Sequence, residues 1–247
     1  MIAKLPKWVW VGAVVLAFSA GTINVIAILG FAHKGITHVT GNCSLLSIAM
    51  LAGDWKNIRQ IFLIIISFFF GAILAGVIVR DGHLRMGRRY GFALATESVL
   101  LVVSTYGFVR GFTYGEYFAS MAAGLQNAMA STYSDAIVRT THLTGILSDI
   151  GALIGNRIRG GAVDNKRIYM LAIIFFSFIS GGLFGAFYYY RMGALAMIIP
   201  AAIIGASAIF YEILRRKISR KTLEPAIRRI HPTLVETAVL PLSPIDK

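Results

Sequence analysis

The sequence predicts an all-helical membrane protein that crosses the bilayer several times, and three observations lead to that prediction. The 247 residues are 57% hydrophobic and only 14% charged, well below the roughly 25% charged share of soluble domains. Apolar runs of spanning length recur along the chain, for example at 61–79 and 168–190. Two polar motifs also occur once in each half. A soluble fold of this length could not bury so many segments that are apolar on all sides, so we expect them to face lipid.

The formal charge of +13 does not indicate nucleic-acid binding. Lys and Arg residues lie at the ends of apolar runs and in the C-terminal tail, as orientation signals do. We therefore expect the lipid bilayer and a small-molecule substrate as partners, and no nucleic acid. The single cysteine, Cys43, excludes an internal disulfide, and no Cys and His residues have metal-ligand spacing. We expect no metal, no cofactor and, since no catalytic motif is present, no enzyme.

The first apolar run, from Trp8 to Phe31, follows Lys4 and Lys7. A signal peptidase could accept Ala17-Phe18-Ser19, which makes a cleaved signal peptide the alternative. The run is too long for a signal core, and its end carries the first repeat motif. We therefore expect a retained span over about 8–30.

The rest of the first half contains one short and two long apolar stretches. The short stretch, 40–53, has 14 residues, which extend about 21 Å at 1.5 Å per residue, less than the roughly 30 Å hydrocarbon core. Long spans are predicted at about 58–79 and 90–109, and a basic loop separates them. The basic residues of this loop are Arg80, Arg85, Arg88 and Arg89.

The second half repeats this order of elements. We expect Pro200 to kink the last span. The basic tail, 215–247, is predicted to be cytoplasmic and to attract anionic lipid headgroups. The long spans and the short stretch of this half lie at about 114–132, 168–190, 192–214 and 144–155.

Two linked motifs, repeated at matched spacing, indicate an internal duplication. Each half has a Gly-x-x-Asn segment followed by a Thr-His-x-Thr-Gly segment, and the spacing from Asn to the second Thr is 16 residues in one half and 17 in the other. We expect one transmembrane domain over 1–214, with repeats at about 8–110 and 114–214. The four segments are Gly21-Thr22-Ile23-Asn24, Thr37-His38-Val39-Thr40-Gly41, Gly124-Leu125-Gln126-Asn127 and Thr141-His142-Leu143-Thr144-Gly145.

The two short stretches leave two topologies open. If both cross the membrane there are eight spans, and the basic loop at 80–89 lies outside. If both enter and return on one side there are six spans. The basic loop at 80–89, a second basic loop at 157–167 and both termini are then cytoplasmic, which the positive-inside rule favours. Each half then crosses three times, so the halves are inverted, as in many channels and secondary transporters. We predict six spans and two re-entrant half-helices.

The start of each half-helix is the predicted substrate site. Thr at the N-cap, Gly beside it and free amides would together bind an anion or polar oxygen. The alternative is that these residues only cap and pack a broken helix. The amides within apolar spans could bind ligand or hold the backbone of the opposite repeat. The predicted substrate-binding residues are Asn24, Thr40, Gly41, Asn42, Gln126, Asn127, Thr144 and Gly145.

Four titratable residues are candidates for ion or proton coupling. Glu97 and Asp149 are carboxylates within apolar stretches, and such residues mark ion or proton paths. His38 and His142 occupy matched positions and could titrate near neutrality, although a structural role is the alternative for each.

These motifs, including Gln126-Asn127-Ala128 and the Thr-Gly-x-Leu-x-Asp run that ends at Asp149, resemble the YoaK family over about 8–214. This is a group of bacterial inner-membrane proteins of unknown function, in which the first motif often has Asp where this chain has Asn24. The resemblance implies the architecture and a multi-pass location in the bacterial cytoplasmic membrane, and it implies no activity.

We expect a transporter or channel for a small polar or anionic metabolite, which would bind at the midplane between the two broken helices. The alternative is a scaffold or sensor that transports nothing, in which the Thr-Gly motifs only pack. Small-residue positions such as Gly71, Gly76, Gly181 and Gly182 could also support a homo-oligomer.

Overall fold

The structure, a computed structural model, describes residues 7–30, 35–79, 88–133 and 139–230, with only the backbone described for Lys7, Tyr133 and 218–230. In these ranges the chain is helical and contains no strand, which confirms the predicted all-helical class. The basic residues Arg80 and Arg85 and the tail beyond 230 lie outside the described residues. The helices are α1 (Lys7–Leu29), α2 (Val39–Leu51), α3 (Trp55–Ile78), α4 (Arg88–Val109), α5 (Tyr114–Tyr133), α6 (Leu143–Ile158), α7 (Asn165–Met192) and α8 (Ile198–Ile230).

Four helical segments of the described chain are long and apolar enough to cross a membrane. The last of them contains both α7 and α8, which a short 3-10 turn at Gly193–Met197 connects. These segments identify a helical protein of the membrane type. They lie at Trp8–Leu29, Trp55–Ile78, Arg88–Val109 and Asn165–Lys217.

The two short helices, α2 and α6, end in the same way. Each is followed by a glycine with positive φ, Gly53 at 65° and Gly160 at 79°, a conformation that glycine adopts at little cost. One residue further on, a backbone N–H returns to the carbonyl of Ala49 in the first case and of Asn156 in the second. Both ends are therefore Schellman motifs, which stop a helix and turn the chain.

The next helix of each half begins with an aspartate cap. Asp54 accepts a hydrogen bond from the backbone N–H of Asn57 at 3.1 Å, and Asp164 accepts one from that of Lys166 at 3.0 Å. Carboxylates at this position satisfy otherwise unpaired amides. The duplication seen in the motifs therefore extends to the turns that lead into α3 and α7.

Glycines bring the first helix of each half against the third helix of the other half. A Cβ at Gly21 of α1 would overlap the carbonyl of Phe178 on α7, and a Cβ at Gly124 of α5 would overlap that of Phe68 on α3. Small residues allow such close backbone approach between membrane helices. The Gly of each Gly-x-x-Asn segment thus joins the two halves.

Helix directions follow from which residues meet. Gly91 near the start of α4 lies against Tyr211 of α8. Ser98, further along α4, donates to the carbonyl of Ala201, which comes earlier in α8 than Tyr211. α4 and α8 are therefore antiparallel. The predicted kink at Pro200 is wrong, because Pro200 lies in the first turn of α8, where a proline is tolerated.

Candidate functional site

The duplicated motifs form two matching clasps. The Thr37 hydroxyl donates to Asn24 Oδ1 at 2.8 Å, and the Thr141 hydroxyl donates to Asn127 Oδ1 at 3.0 Å. In each half an amide on the long first helix thus holds the loop that leads into the short helix. Each amide contacts its own repeat rather than the backbone of the opposite repeat.

Two other amides, Gln126 and Asn42, are also used within the protein. Gln126 Nε2 donates to the carbonyl of Leu16 at 2.8 Å, so this side chain does connect the second repeat to the first. Asn42 Nδ2 donates to the carbonyl of Gly35 at 2.9 Å. Both side chains are buried, and these bonds supply the partners that buried amides require.

The N-caps of the short helices lie two residues before the predicted ones. The N-cap residues are His38 and His142, without side-chain capping bonds, so the prediction that Thr40 and Thr144 are caps is wrong. Thr40, Thr144 and both histidines are exposed.

Close packing against a histidine side chain explains why these segments contain glycine. A Cβ at Gly41 would overlap the imidazole of His38, and one at Gly145 would overlap that of His142. Each histidine therefore lies over the glycine three residues later, and the Thr-His-x-Thr-Gly spacing follows from this contact.

The structure does not bring the two short helices together. No Cα atom of α2 lies within 8 Å of one in α6, and each short helix packs instead against the long helix that follows it. The two short helices therefore do not contact each other in this conformation. Substrate binding by the eight motif residues stays a prediction.

The two candidate coupling carboxylates have opposite environments. Asp149 is half exposed and forms an ion pair with Arg167 at 3.3 Å, a pairing that is weak at a surface. Glu97 on α4 is completely buried, and neither carboxyl oxygen has a hydrogen-bond partner among the described residues. A buried carboxyl without a partner is costly and so requires an explanation.

The sequence reasoning missed a cavity of about 590 Å³ between α1, α4, α5 and α8. Its walls come from both repeats and are almost wholly apolar. Gly12 on α1 lies in its wall, with open space where a Cβ would be. Val11 and Phe210 at its rim are 59% and 63% exposed, so the cavity opens sideways between α1 and α8. The only sequence signal was a glycine within a run of bulky residues.

Three aromatic residues gather at one end of this cavity. The Tyr211 ring lies 6.3 Å from that of Trp8 and 5.0 Å from that of Tyr90, centroid to centroid. Glu97 is further in, on the face of α4 that carries Tyr90 and Leu94, because positions i, i+4 and i+7 share one face of a helix. At 1.5 Å per residue, Glu97 lies about 4.5 Å beyond Leu94 along the helix axis.

Comparison with known proteins gives a family and no activity. Residues 12–210 match the family model described as "Protein of unknown function (DUF1275)". No curated protein and no solved structure matches the chain. The match covers all eight helices wholly or in part, and it is consistent with the resemblance to YoaK-like proteins seen in the motifs. Since it also spans well over half of the chain, this protein belongs to the DUF1275 family.

Proposed function

We propose that this protein is a membrane transporter for a small solute that binds in the cavity between α1, α4, α5 and α8. The cavity itself is the observation that carries the proposal. Its volume of about 590 Å³ is in the range of small-molecule sites. Its walls come from both repeats, and transporters built from internal repeats commonly bind substrate between them.

The aromatic cluster supports the six-span topology. Trp8 and Tyr90 are near the starts of α1 and α4, Tyr211 is near the end of the apolar part of α8, and the three rings meet. With six spans these three points lie on the same side of the membrane. With eight spans the start of α4 would lie on the opposite side. In the six-span topology the two halves are inverted, and α2 and α6 each return to the side from which they enter.

An inverted repeat makes α1 correspond to α5 and α8 to α4, and the two resulting helix pairs differ in this structure. α1 and α8 are separated by the open cavity beside Gly12. α4 and α5 are closed together: the Ser104 hydroxyl donates to the carbonyl of Gly115 at 2.8 Å, and a Cβ at Gly107 would lie 2.8 Å from the Gly115 Cα. Gly115 follows Gly12 by the 103 residues that also separate Gly124 from Gly21. The pair α1 and α8 is thus open, and the corresponding pair α4 and α5 is closed. Alternating access requires such a difference between the two pairs.

The lining favours a different substrate class from the polar or anionic metabolite that the sequence suggested. Only Trp8, Tyr90, Tyr211 and Ser207 bring side-chain polar groups to the wall, and no described cation lines it. An anion would lose its hydration there without compensation. We therefore propose a largely apolar small molecule, which enters from the bilayer or from the cytoplasm.

The test uses two glycines that have open space around them. Gly12→Phe places a ring in the cavity wall, whereas Gly76→Phe places the same ring on the exposed face of α3, away from the cavity. A thermal-stability screen against small apolar molecules identifies a ligand, since binding to the native state raises the melting temperature. Counterflow of that ligand into preloaded proteoliposomes then measures transport.

We expect Gly12→Phe to lose both the melting-temperature shift and counterflow, and Gly76→Phe to keep both. Equal loss in both variants would show that the effect is not due to the cavity. If a broad panel gives no shift and no counterflow with the wild type, the scaffold or sensor alternative replaces the transporter.

A further inference from the structure

Glu97 is the one described side chain whose ionisable group is completely buried and without any hydrogen-bond partner. It lies behind the inner end of the cavity but does not line it. Neighbouring polar groups make bonds elsewhere: the Ser98 hydroxyl donates to Ala201, and the Ser104 hydroxyl donates to Gly115. The described part of the fold therefore encloses a carboxyl group close to Tyr90 and gives neither of its oxygens a hydrogen bond.

The internal repeat assigns Glu97 a counterpart. The offset of 110 residues that relates Asp54 to Asp164 and Gly71 to Gly181 also relates α4 to α8. The contact between Ser98 and Ala201 has its counterpart in the approach of Gly91 to Ala208, where a Cβ would lie 3.9 Å from the carbonyl oxygen. By the same offset Glu97 corresponds to Ser207, and Ser207 lines the open cavity.

We infer that Glu97 is a carboxyl that takes up a proton before the pair α4 and α5 closes, exposed when that pair opens and sealed when it closes. This inference rests on the proposed function. Exchange of the open and closed sides would place Glu97 in the wall of the opposite cavity, as Ser207 is in the present one. A proton from that side would join one carboxyl oxygen before the pair closes and would return to the same side when the pair opens again, so protonation sets how readily the pair closes and moves no proton across the membrane.

A proton is the cation that this environment can accept. Metal cations require several oxygen ligands, for example six to eight for Ca²⁺, whereas neither Glu97 oxygen has a hydrogen-bond partner among the described residues. A protonated carboxyl needs no such ligands and avoids the cost of a buried charge. Asp149, the other candidate, is exposed and paired with Arg167.

None of the other titratable groups on α4 and on the elements packed against it donates a hydrogen bond to Glu97. The described ones on α4 are Arg88, Arg89, Tyr90 and Tyr106. Those on α3, α5 and α8 are Lys56, Arg59, Tyr114, Glu116, Tyr117, Tyr211, Glu212, Arg215, Arg216 and Lys217.

Dicyclohexylcarbodiimide, an apolar reagent that adds to a carboxylic acid and not to a carboxylate, tests the inference without a known substrate. The acid O–H adds across the reagent's N=C bond, and rearrangement leaves a stable acylurea that peptide mass spectrometry locates. The full-length protein in membranes should carry this adduct at Glu97. Its yield should fall in alkaline buffer, by about tenfold for each pH unit above the pKa of this carboxyl, because only the acid form reacts.

Two variants control the experiment. Glu97→Gln removes the reactive group and should lose only this adduct. Asp54→Asn removes an exposed carboxylate, while Asn still caps α3, and should leave the adduct at Glu97 unchanged. Absence of an adduct at Glu97 in the wild type would overturn the inference, since the cycle must expose this residue. A yield that does not change with pH would overturn it too, since the proton would never leave.

The inference and the proposed function fail in distinguishable ways. If the adduct forms as expected but no solute moves, Glu97 still binds a proton and the transporter proposal fails. If a solute moves and counterflow by Glu97→Gln depends on pH as that of the wild type does, the transporter stands and the role of Glu97 is overturned. The expected result is that Glu97→Gln keeps counterflow and loses its pH dependence, because the amide cannot release a proton in alkaline buffer.

Discussion

At the scale of single residues, most buried polar side chains of the described chain form hydrogen bonds within the protein, whereas Ser19 Oγ and both carboxyl oxygens of Glu97 have no partner. Asn24 and Asn127 hold Thr37 and Thr141, and Gln126 crosses from one repeat to the other. These bonds explain why amides recur at matched positions in apolar helices, where an unpaired amide is costly. Glu97 has no such bond, although a buried carboxyl group normally requires one, and this contrast is the observation behind its proposed role.

The two threonines of one segment should behave differently when their hydroxyls are removed. Thr37→Val deletes the hydrogen bond to Asn24 and should lower the free energy of unfolding by about 1 kcal/mol, the usual net value of such a bond. Thr40→Val changes an exposed side chain and should alter it by less than about 0.5 kcal/mol. Thermal unfolding of both purified variants measures the difference. Equal effects would mean that the clasp does not stabilise the half-helix.

At the scale of helices, the glycines explain how the two repeats are joined. Gly21 and Gly124 occupy the same place in the duplicated segment, and each lies against the backbone of the third helix of the other repeat. The contact pairs α1 with α7 and α5 with α3. The Gly-x-x-Asn segment thus has two structural roles. Its Gly allows the close helix crossing, and its Asn, three residues later, holds the loop that leads into the short helix.

A methyl group at this crossing should be poorly tolerated. Gly124→Ala would push the new Cβ into the carbonyl of Phe68, and overpacking of this kind costs about 1–3 kcal/mol. Gly76→Ala, on the same packed helix pair but with open space around it, should be neutral. Thermal unfolding in detergent checks both. A Gly124→Ala protein as stable as the wild type would mean that the two helices are not in close contact.

The helices were largely predictable from the sequence and the site was not. Apolar length identified the long helices, and the repeat of Thr-His-x-Thr-Gly identified the short ones, because both signals are local. The N-caps were misplaced because Thr is usually favoured there, and nothing in the sequence shows that His38 lies over Gly41. The cavity depends on which helices stand apart, a property of the assembled bundle that no single segment carries.

At the scale of the whole molecule, the proposed inverted arrangement would connect the open cavity with the sealed carboxyl. α1 and α8 stand apart around Gly12, while α4 and α5, the corresponding pair, are closed beside Gly115. A two-fold relation allows two states of similar energy that exchange these roles, and ligand or proton binding then shifts their populations. The topology must be right for this exchange to occur, because eight spans would place the start of α4 on the wrong side.

Single cysteines in a Cys43→Ala background decide between the topologies. Thr113→Cys lies between α4 and α5 and Ala162→Cys lies between α6 and α7, both exposed in the structure. Six spans place position 113 outside and 162 in the cytoplasm, so an impermeant thiol reagent added to intact cells should label only Thr113→Cys. Eight spans place both inside, and neither would be labelled until the cells are opened. That result would remove the inverted repeat, and with it the exchange that exposes Glu97.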